Sequence, residues 1–271
     1  MDNVKITGLA ISTSNTGKGT NTIKESFKLS TKMSKLYWLY LVFTNALYVV
    51  ANFLLTKGSP QNRDSYFFSL KAAAKKQNIP IYSFSNFNDA SFIDILNKSR
   101  VDLLLIRISS ILNSNFFASI PKNMDIWCAH SSLLPAYKGI AGEFQALRHQ
   151  EKVFGTSIFR VAPKLDEGPI LFQHEIPIDY SKTLFHNTIQ NNKKASFLVA
   201  KAVQALQSGA HTSENLTERK ASYYSWPKSK EVAEFHSQGL HLISWSEIFT
   251  CLRLLAAMSF SLFFKMHKHN R

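Results

Sequence analysis

The chain has few cysteines and few acidic residues for its length. Two of its 271 residues are cysteine, Cys128 and Cys251, which excludes a disulfide framework and is typical of a reducing cytoplasm. Acidic residues number 18 against 32 lysines and arginines, so the formal net charge is +14. This balance favours anionic partners, such as phosphorylated small molecules, nucleic acid or an anionic membrane face.

Several other features are missing, and each absence narrows the function. The basic residues occur in scattered pairs such as Lys75-Lys76, not in one arm, so no dedicated nucleic-acid domain is predicted. The first 35 residues are polar, and no signal peptide is predicted. The loop Asn15 to Thr20 lacks the first glycine of a P-loop, which excludes that mode of phosphate binding.

What the chain does contain is enough apolar sequence for one large core. Hydrophobic residues make up 45% of it, which argues against disorder. Predicted strands alternate with predicted helices, and this order predicts an open, mostly parallel α/β sheet with helices on both faces. The strands are expected at 4–12, 79–84, 101–106, 125–129, 155–161 and 170–178, and the helices at 23–56, 65–77, 88–98, 142–150 and 181–207.

The tail from Gly209 differs in composition from the rest. We therefore predict an α/β domain over residues 1–208 and a small, helical C-terminal extension over 209–271, which contains an aromatic loop at 223–227. In open α/β sheets, ligands bind beyond the carboxyl ends of the strands. His130 and Asp166 each follow a predicted strand, so they are expected to converge there.

Two long apolar runs raise the question of a membrane. Leu36 to Thr56 carries no charge and is long enough to span a bilayer. Its apolar residues also recur at helical spacing, which favours a helix buried along one side formed by Leu39, Phe43, Leu47, Val50 and Leu54. Leu254 to Phe264 is too short to span, and it is interpreted as a packing helix or an interfacial helix.

Two short segments carry the chemical signal. The first reads Ala-His-Ser-Ser-Leu-Leu-Pro-Ala-Tyr-Lys-Gly over residues 129–139, and the second reads Leu-Asp-Glu-Gly-Pro-Ile over 165–170. Together they resemble the folate-dependent formyltransferases, whose pattern is Asn-x-His-Pro-Ser-Leu-Leu-Pro-x-Tyr-x-Gly followed by Leu-Asp-x-Gly-Pro-Ile. The resemblance extends over about 66–207. It departs from the family at Cys128, which stands where the family has a catalytic asparagine.

The resemblance implies a Rossmann-like formyltransferase fold that lacks its first strand. The family begins with a central strand and helix before the equivalent of residues 4–12, and this chain starts at the second strand. The middle of the sheet is then expected to lack a hydrogen-bonding neighbour.

The same resemblance implies the catalytic roles. Formyl transfer from 10-formyltetrahydrofolate to an amine needs a base, a group that orients the base, and donors for the tetrahedral oxyanion. His130 is expected to be the acid/base and Asp166 to orient it or to hold a bridging water. Cys128 is a weak donor in the asparagine position. Two other interpretations of Cys128 remain open, a Cys-His-Asp nucleophilic set and a plain core residue.

Further residues are predicted to bind the two substrates, and no metal ligands are predicted. The folate is expected to contact Arg107, Ile108, Ile111, Leu112, Gly168 and Pro169. The acceptor is expected to contact Ser132, Leu134, Pro135, Tyr137, Lys138 and Gly139. The predicted acceptor is a nucleotide-linked amino sugar or a similar small anionic amine, with glycinamide ribonucleotide and hydrolytic release of formate as alternatives.

Two other classes of function compete with this enzyme. One is a formyltransferase homologue whose catalysis is impaired by Cys128 and which acts as a binding protein. The other is a membrane-associated structural protein that uses residues 36–56 and 242–264.

Overall fold

The computed structural model describes residues 4–12, 27–57, 70–108, 111–207 and 218–268. The predicted loop Asn15 to Thr20 and the predicted domain boundary at 208/209 lie outside these ranges.

The described strands form three sheets. Their bounds are β1 Leu9–Ser12, β2 Ile81–Phe84, β3 Leu103–Ile106, β4 Asp125–His130, β5 Lys138–Gly139, β6 Val153–Arg160, β7 Ile170–Pro177 and β8 Tyr223–Tyr224. In the first sheet β1 pairs with β2 in parallel, the second has the order β3-β4-β6-β7, and in the third β5 pairs with β8 in parallel. The β3–β4 pair is parallel, whereas β4–β6 and β6–β7 are antiparallel.

Eight helices of the described ranges accompany these strands. They are α1 Lys35–Lys57, α2 Leu70–Lys76, α3 Ala90–Ser99, α4 Ser114–Ser119, α5 Gly142–Arg148, α6 Leu184–Gln207, α7 Ser229–Ser237 and α8 Trp245–Lys268. The alternation of strands and helices confirms the predicted α/β class. Within the described residues no backbone pairing joins the β1–β2 pair to the four-stranded sheet.

The first predicted strand is shorter and less buried than expected. It covers Leu9–Ser12 only, and Val4 and Ile6 of the predicted run are exposed. Within the described part of the chain, β1 pairs with β2 and with no other strand.

The buried side of α1 was predicted wrongly. Leu39 and Val50, two members of the predicted buried stripe, are exposed, and the fully buried side chains of this helix are Tyr37 and Tyr40. Tyr37 makes an edge contact with Phe144 of α5, with ring centroids 5.4 Å apart. Because apolar residues occur all round this helix, their spacing could not identify the packed face.

Three hydrophobic clusters hold the elements together. One lies between α3, α4 and the β3–β4 pair, and a second joins Trp127 of the sheet to Leu198 of α6. The third includes Tyr137, Phe144 of α5 and Phe235 of α7, so the C-terminal extension shares a core with the motif segment 129–139. Phe197 of α6 is 64% exposed, whereas the neighbouring Leu198 is buried.

Candidate active site

The loop from Ser131 to Tyr137 is fixed by buried hydrogen bonds. Ser157 of β6 lies beside His130 in the sheet, and its hydroxyl donates to the Ser132 carbonyl at 2.6 Å. The same hydroxyl oxygen accepts from the Leu134 amide at 2.9 Å. Gln173 of β7 donates to the Leu134 carbonyl at 2.7 Å, and the Leu134–Pro135 peptide bond is cis. These contacts hold the loop in one conformation as the chain leaves β4.

The acidic loop 161–169 reaches the first loop by folding back. Since β6 runs antiparallel to β4, its last residue, Arg160, pairs with Trp127 near the start of β4. The Asp166 carboxylate nevertheless accepts from the Gly139 amide at 2.9 Å, and Lys138 pairs with Glu167 at 3.0 Å. The predicted convergence of the two loops is therefore observed, although it does not come from parallel strand ends.

The two loops bring His130 and Asp166 together. His130 Nε2 lies 4.0 Å from Asp166 Oδ2, and both side chains are largely buried. The Tyr137 carbonyl is 3.4 Å from the same nitrogen. Both neighbours are acceptors, so they favour the tautomer whose proton is on Nε2. A separation of 4.0 Å is longer than a direct hydrogen bond and fits an interaction that tightens or is bridged when substrate binds.

Asp166 itself occupies a backbone conformation that few residues adopt. Its φ of 51° is in the left-handed region, where aspartate is one of the tolerated side chains. Gly168, two residues later, is buried beside the Arg160 carbonyl, which an added Cβ would overlap. The loop therefore depends on both residue types to direct the carboxylate toward His130.

Cys128 lies on the same strand as His130, two residues before it, with its thiol kept protonated. Burial raises the pKa of Cys128 to about 12, with a further increase from the nearby Asp166 carboxylate and a decrease from Arg107. A nucleophilic cysteine needs a lowered thiol pKa. The predicted Cys-His-Asp nucleophilic set is therefore not favoured by this environment.

Arg107 and Glu143 add two charges that surround the His130–Asp166 pair. Arg107 follows β3 and donates to Ser131 Oγ at 3.1 Å and to Asn192 Oδ1 of α6 at 2.8 Å. Glu143 lies in the first turn of α5 and accepts from Asn191 at 3.1 Å. Burial raises the pKa of the Glu143 carboxyl, and the charges of Arg107 and His130 act in the opposite direction.

The residues predicted to bind folate differ in exposure. Arg107, Ile111 and Pro169 are exposed, and Ile108 is half-buried. Leu112, in contrast, is buried in the cluster with Phe92 and Phe116, so its side chain is part of the core. The intervening Ser109-Ser110 segment lies outside the described residues. Of the side chains predicted to bind folate, those of Arg107, Ile108, Ile111 and Pro169 are thus at least partly accessible.

Most of the residues predicted to bind the acceptor are buried or make contacts with other parts of the protein. Ser132 and Leu134 are buried, and the hydroxyl of Tyr137 donates to Glu151 at 2.6 Å while its ring stacks on Tyr224. In this structure they hold the loop in place and do not face solvent. Pro135, Lys138 and Gly139 are partly exposed, and the Gly139 amide donates a hydrogen bond to the Asp166 carboxylate.

The structure adds three residues that sequence reasoning missed, namely Glu143, Asn191 and Asn192. Glu143 could have been found as the one acidic side chain in the first turn of the helix that follows the motif loop. The two asparagines carried no such signal. They belong to α6, far along the chain, and reach the site only because α6 packs against β6 and β7.

Comparisons with known proteins agree with the motif. The formyl transferase family profile matches residues 48–202, which is more than half of the chain. The bifunctional polymyxin resistance protein ArnA of Wigglesworthia glossinidia brevipalpis is 33% identical over 123 residues, which cover 44% of this chain and 19% of that protein. The methionyl-tRNA formyltransferase of Prochlorococcus marinus subsp. pastoris is 26% identical over 177 residues, 65% of this chain and 53% of that enzyme. The chain thus spans about half the length of this methionyl-tRNA formyltransferase and about a fifth of the length of ArnA.

Solved structures give the same kind of match at lower similarity. An N-formyltransferase from Helicobacter canadensis, in complex with folinic acid and dTDP-3-aminofucose, matches with a TM-score of 0.48 and a sequence identity of 16%. The match covers 68% of this chain and 67% of that one. Family membership accordingly rests on the sequence profile and not on this structural similarity.

Proposed function

Because this chain belongs to the formyl transferase family, we propose that it is an N-formyltransferase that moves a formyl group from 10-formyltetrahydrofolate to an amine. The observation that carries the proposal is the approach of His130 Nε2 to within 4.0 Å of Asp166 Oδ2, across two loops that are fixed to each other. These are the acid/base and the carboxylate that formyl transfer requires.

In the proposed reaction the acceptor amine attacks the formyl carbon. The imidazole of His130 takes a proton from the amine, and the Asp166 carboxylate and the Tyr137 carbonyl stabilise the protonated ring that results. Collapse of the tetrahedral intermediate then breaks the bond from the formyl carbon to the folate nitrogen, and the protonated His130 returns its proton to that nitrogen. The products are the formamide and tetrahydrofolate.

The oxyanion needs a donor that Cys128 supplies poorly, since a thiol is a weak hydrogen-bond donor. Arg107 is the cation whose charge acts on Cys128, and its guanidinium also reaches Ser131. We assign to Arg107 the stabilisation of the developing negative charge, a role that a fixed cation performs well in a partly dry site.

A nucleotide-linked amino sugar is the proposed acceptor. The net charge of +14 supports a small anionic amine, and the exposed ring of Tyr223, which pairs with Lys138 between β5 and β8, supports a nucleotide whose base can stack on it. Glycinamide ribonucleotide remains the alternative acceptor.

A second candidate function is that of an impaired homologue that binds without turnover. Cys128 is the observation that favours it, since losing one oxyanion donor typically lowers turnover by about 10²–10³.

The test is release of tetrahydrofolate from 10-formyltetrahydrofolate in the presence of a panel of nucleotide-linked amino sugars. His130→Gln and Asp166→Asn are each expected to lower kcat by about 10²–10⁴. The matched control is Asp94→Asn, an exposed helix carboxylate, which should leave kcat unchanged. Equal rates for Asp166→Asn and Asp94→Asn would contradict the proposed chemistry.

A further inference from the structure

Helix α1 presents an exposed apolar face along its described length. The segment Lys35–Leu54 is long and apolar enough to cross a membrane, with a mean hydropathy of 1.4, and 11% of it is buried in the protein. At about 100° per residue, its exposed aliphatic side chains and Phe53 occupy one sector of about 140°, and the exposed Tyr48 lies outside that sector. The residues in the sector are Leu36, Leu39, Val42, Ala46, Val49, Val50 and Phe53, and we call this set the α1 stripe.

The opposite side of α1 is attached to the domain. Tyr37 and Tyr40 are buried there, and Tyr37 contacts the Phe144 ring. A helix in the core of a soluble protein would bury its apolar residues on most sides. Here the packed side and the α1 stripe are distinct, so the stripe is a surface of the folded molecule.

Helix α8 packs against α1 and carries a second exposed apolar stripe. Trp245, Phe249 and Leu252 follow one another at four- and three-residue steps, and Trp245 is 77% exposed. Ser246, Thr250 and Arg253, which are polar, are exposed on an adjacent side. Exposed apolar surface of this extent, on two helices in contact, is typical of a binding surface.

The charge around the start of α1 indicates what binds there. Lys28, Lys32 and Lys35 are exposed, and the Lys228 ammonium donates to the Lys32 carbonyl at 2.5 Å. Four lysines are therefore gathered at one end of the stripe, on a chain of formal charge +14. Clustered lysines next to an apolar helix face are complementary to anionic lipid headgroups above an acyl layer.

We propose that α1, with α8 beside it, docks this protein on the surface of a bilayer that contains anionic lipid. The helix lies along the interface and does not cross it, because its Tyr37 side stays packed on the domain. Trp245 and Phe249 of α8 suit an interfacial helix, whose apolar side commonly carries Trp and Phe. The α1 stripe is largely aliphatic, and a protein partner is therefore its less suitable occupant, since protein interface cores are enriched in aromatic residues and arginine.

Docking in this way would hold the active site close to the membrane. α1 contacts α5 through Phe144, and the adjacent residue, Glu143, is one of the charges around His130. The inference rests on the exposed stripes and the lysines. It does not depend on the proposed formyl transfer, which could fail without affecting it.

The test is flotation of the full chain, synthesised in a cell-free system together with vesicles. One set of vesicles contains phosphatidylcholine only, and the other has a third of its lipid replaced by phosphatidylglycerol. The test variant is Leu39→Glu/Val49→Glu, and the matched control is Leu70→Glu/Ile189→Glu. The control pair makes the same change of charge at exposed aliphatic residues on α2 and α6. Limited proteolysis establishes that each variant is folded.

We expect the natural chain and the control pair to float with the anionic vesicles, about ten-fold more than with phosphatidylcholine alone. The Leu39→Glu/Val49→Glu variant should remain at the bottom of the gradient. Failure of the natural chain to float, or equal loss in both double variants, would overturn the proposal. A natural chain that instead forms a dimer, which the test variant disrupts, would assign the stripe to a second copy and also overturn it.

Discussion

At the scale of single residues, the motif identified His130 and Asp166 correctly as neighbours but gave no account of what surrounds them. The motif itself shows which residues lie one or two positions from His130. The partners of Arg107 and Glu143, in contrast, come from α6, 85 and 48 residues away. Only the folded chain brings them together, because no local spacing encodes contacts across such distances.

Cys128 provides the sharpest test at this scale. Cys128→Asn restores the side chain that the family has at this position, and we expect kcat for formyl transfer to rise by about 10²–10³. Cys128→Ser should change kcat little, because a thiol whose pKa is about 12 is protonated at neutral pH and is not the nucleophile.

The steady-state rates of the three proteins decide between the alternatives. Loss of all activity in Cys128→Ser would show that the thiol takes part in the reaction. Activity that appears only in Cys128→Asn would identify the natural chain as the impaired homologue.

Glu143 makes stability depend on pH. Its pKa is raised by burial above the ordinary 4.5, so as pH rises the unfolded chain loses this proton before the folded protein does. The free energy of unfolding should therefore fall as pH rises from about the ordinary carboxyl pKa to the raised one, and then level off.

In Glu143→Gln this decline should be absent. Urea denaturation of both proteins at a series of pH values measures it, and the difference between their free energies of unfolding is the quantity to compare. A difference that stays constant with pH would contradict a buried carboxyl at this position.

At the scale of elements, the periodicity of apolar residues located the helices well and their buried faces less well. The helix predicted over 88–98 and the strands on either side of Asp166 lie close to where the pattern predicted them. For α1 the pattern failed, because a run that is apolar all round contains several stripes of equal spacing. Packing against Phe144 selected the face of Tyr37 and Tyr40.

The β6–β7 connection is an element whose shape depends on one glycine. An alanine at Gly168 would overlap the Arg160 carbonyl, and Arg160 also donates its amide to Pro169 at 2.9 Å. We expect Gly168→Ala to lower the free energy of unfolding by about 3 kcal/mol and to lower kcat, since the displaced loop carries Asp166.

The matched control is Gly239→Ala, where an added Cβ has no atom within 4 Å and the cost of about 1 kcal/mol comes from the positive φ alone. Urea denaturation compares the two variants. Equal destabilisation by both would show that the Arg160 carbonyl can move aside.

At the scale of the whole molecule, the predicted α/β class is confirmed, while the arrangement of its sheet needed the structure. The sequence predicts strands and their order along the chain, and from these a mostly parallel sheet. It does not predict that β6 reverses direction beside β4, nor that loop 161–169 folds back over that reversal. Both depend on contacts between segments distant in sequence. The C-terminal extension likewise joins the core through β8 and α7, which its composition did not indicate.

The most direct test of the account is calorimetric titration of the folded natural chain with 5-formyltetrahydrofolate, a stable stand-in for the donor. We predict a micromolar Kd. Ile111→Ser should weaken binding about ten-fold, since Ile111 is 68% exposed and its burial by the ligand would be lost. The matched control Ile6→Ser, at an isoleucine 61% exposed before β1, should bind as the natural chain does. A folded natural chain that gives no binding heat would contradict the assignment of this site to formyl transfer.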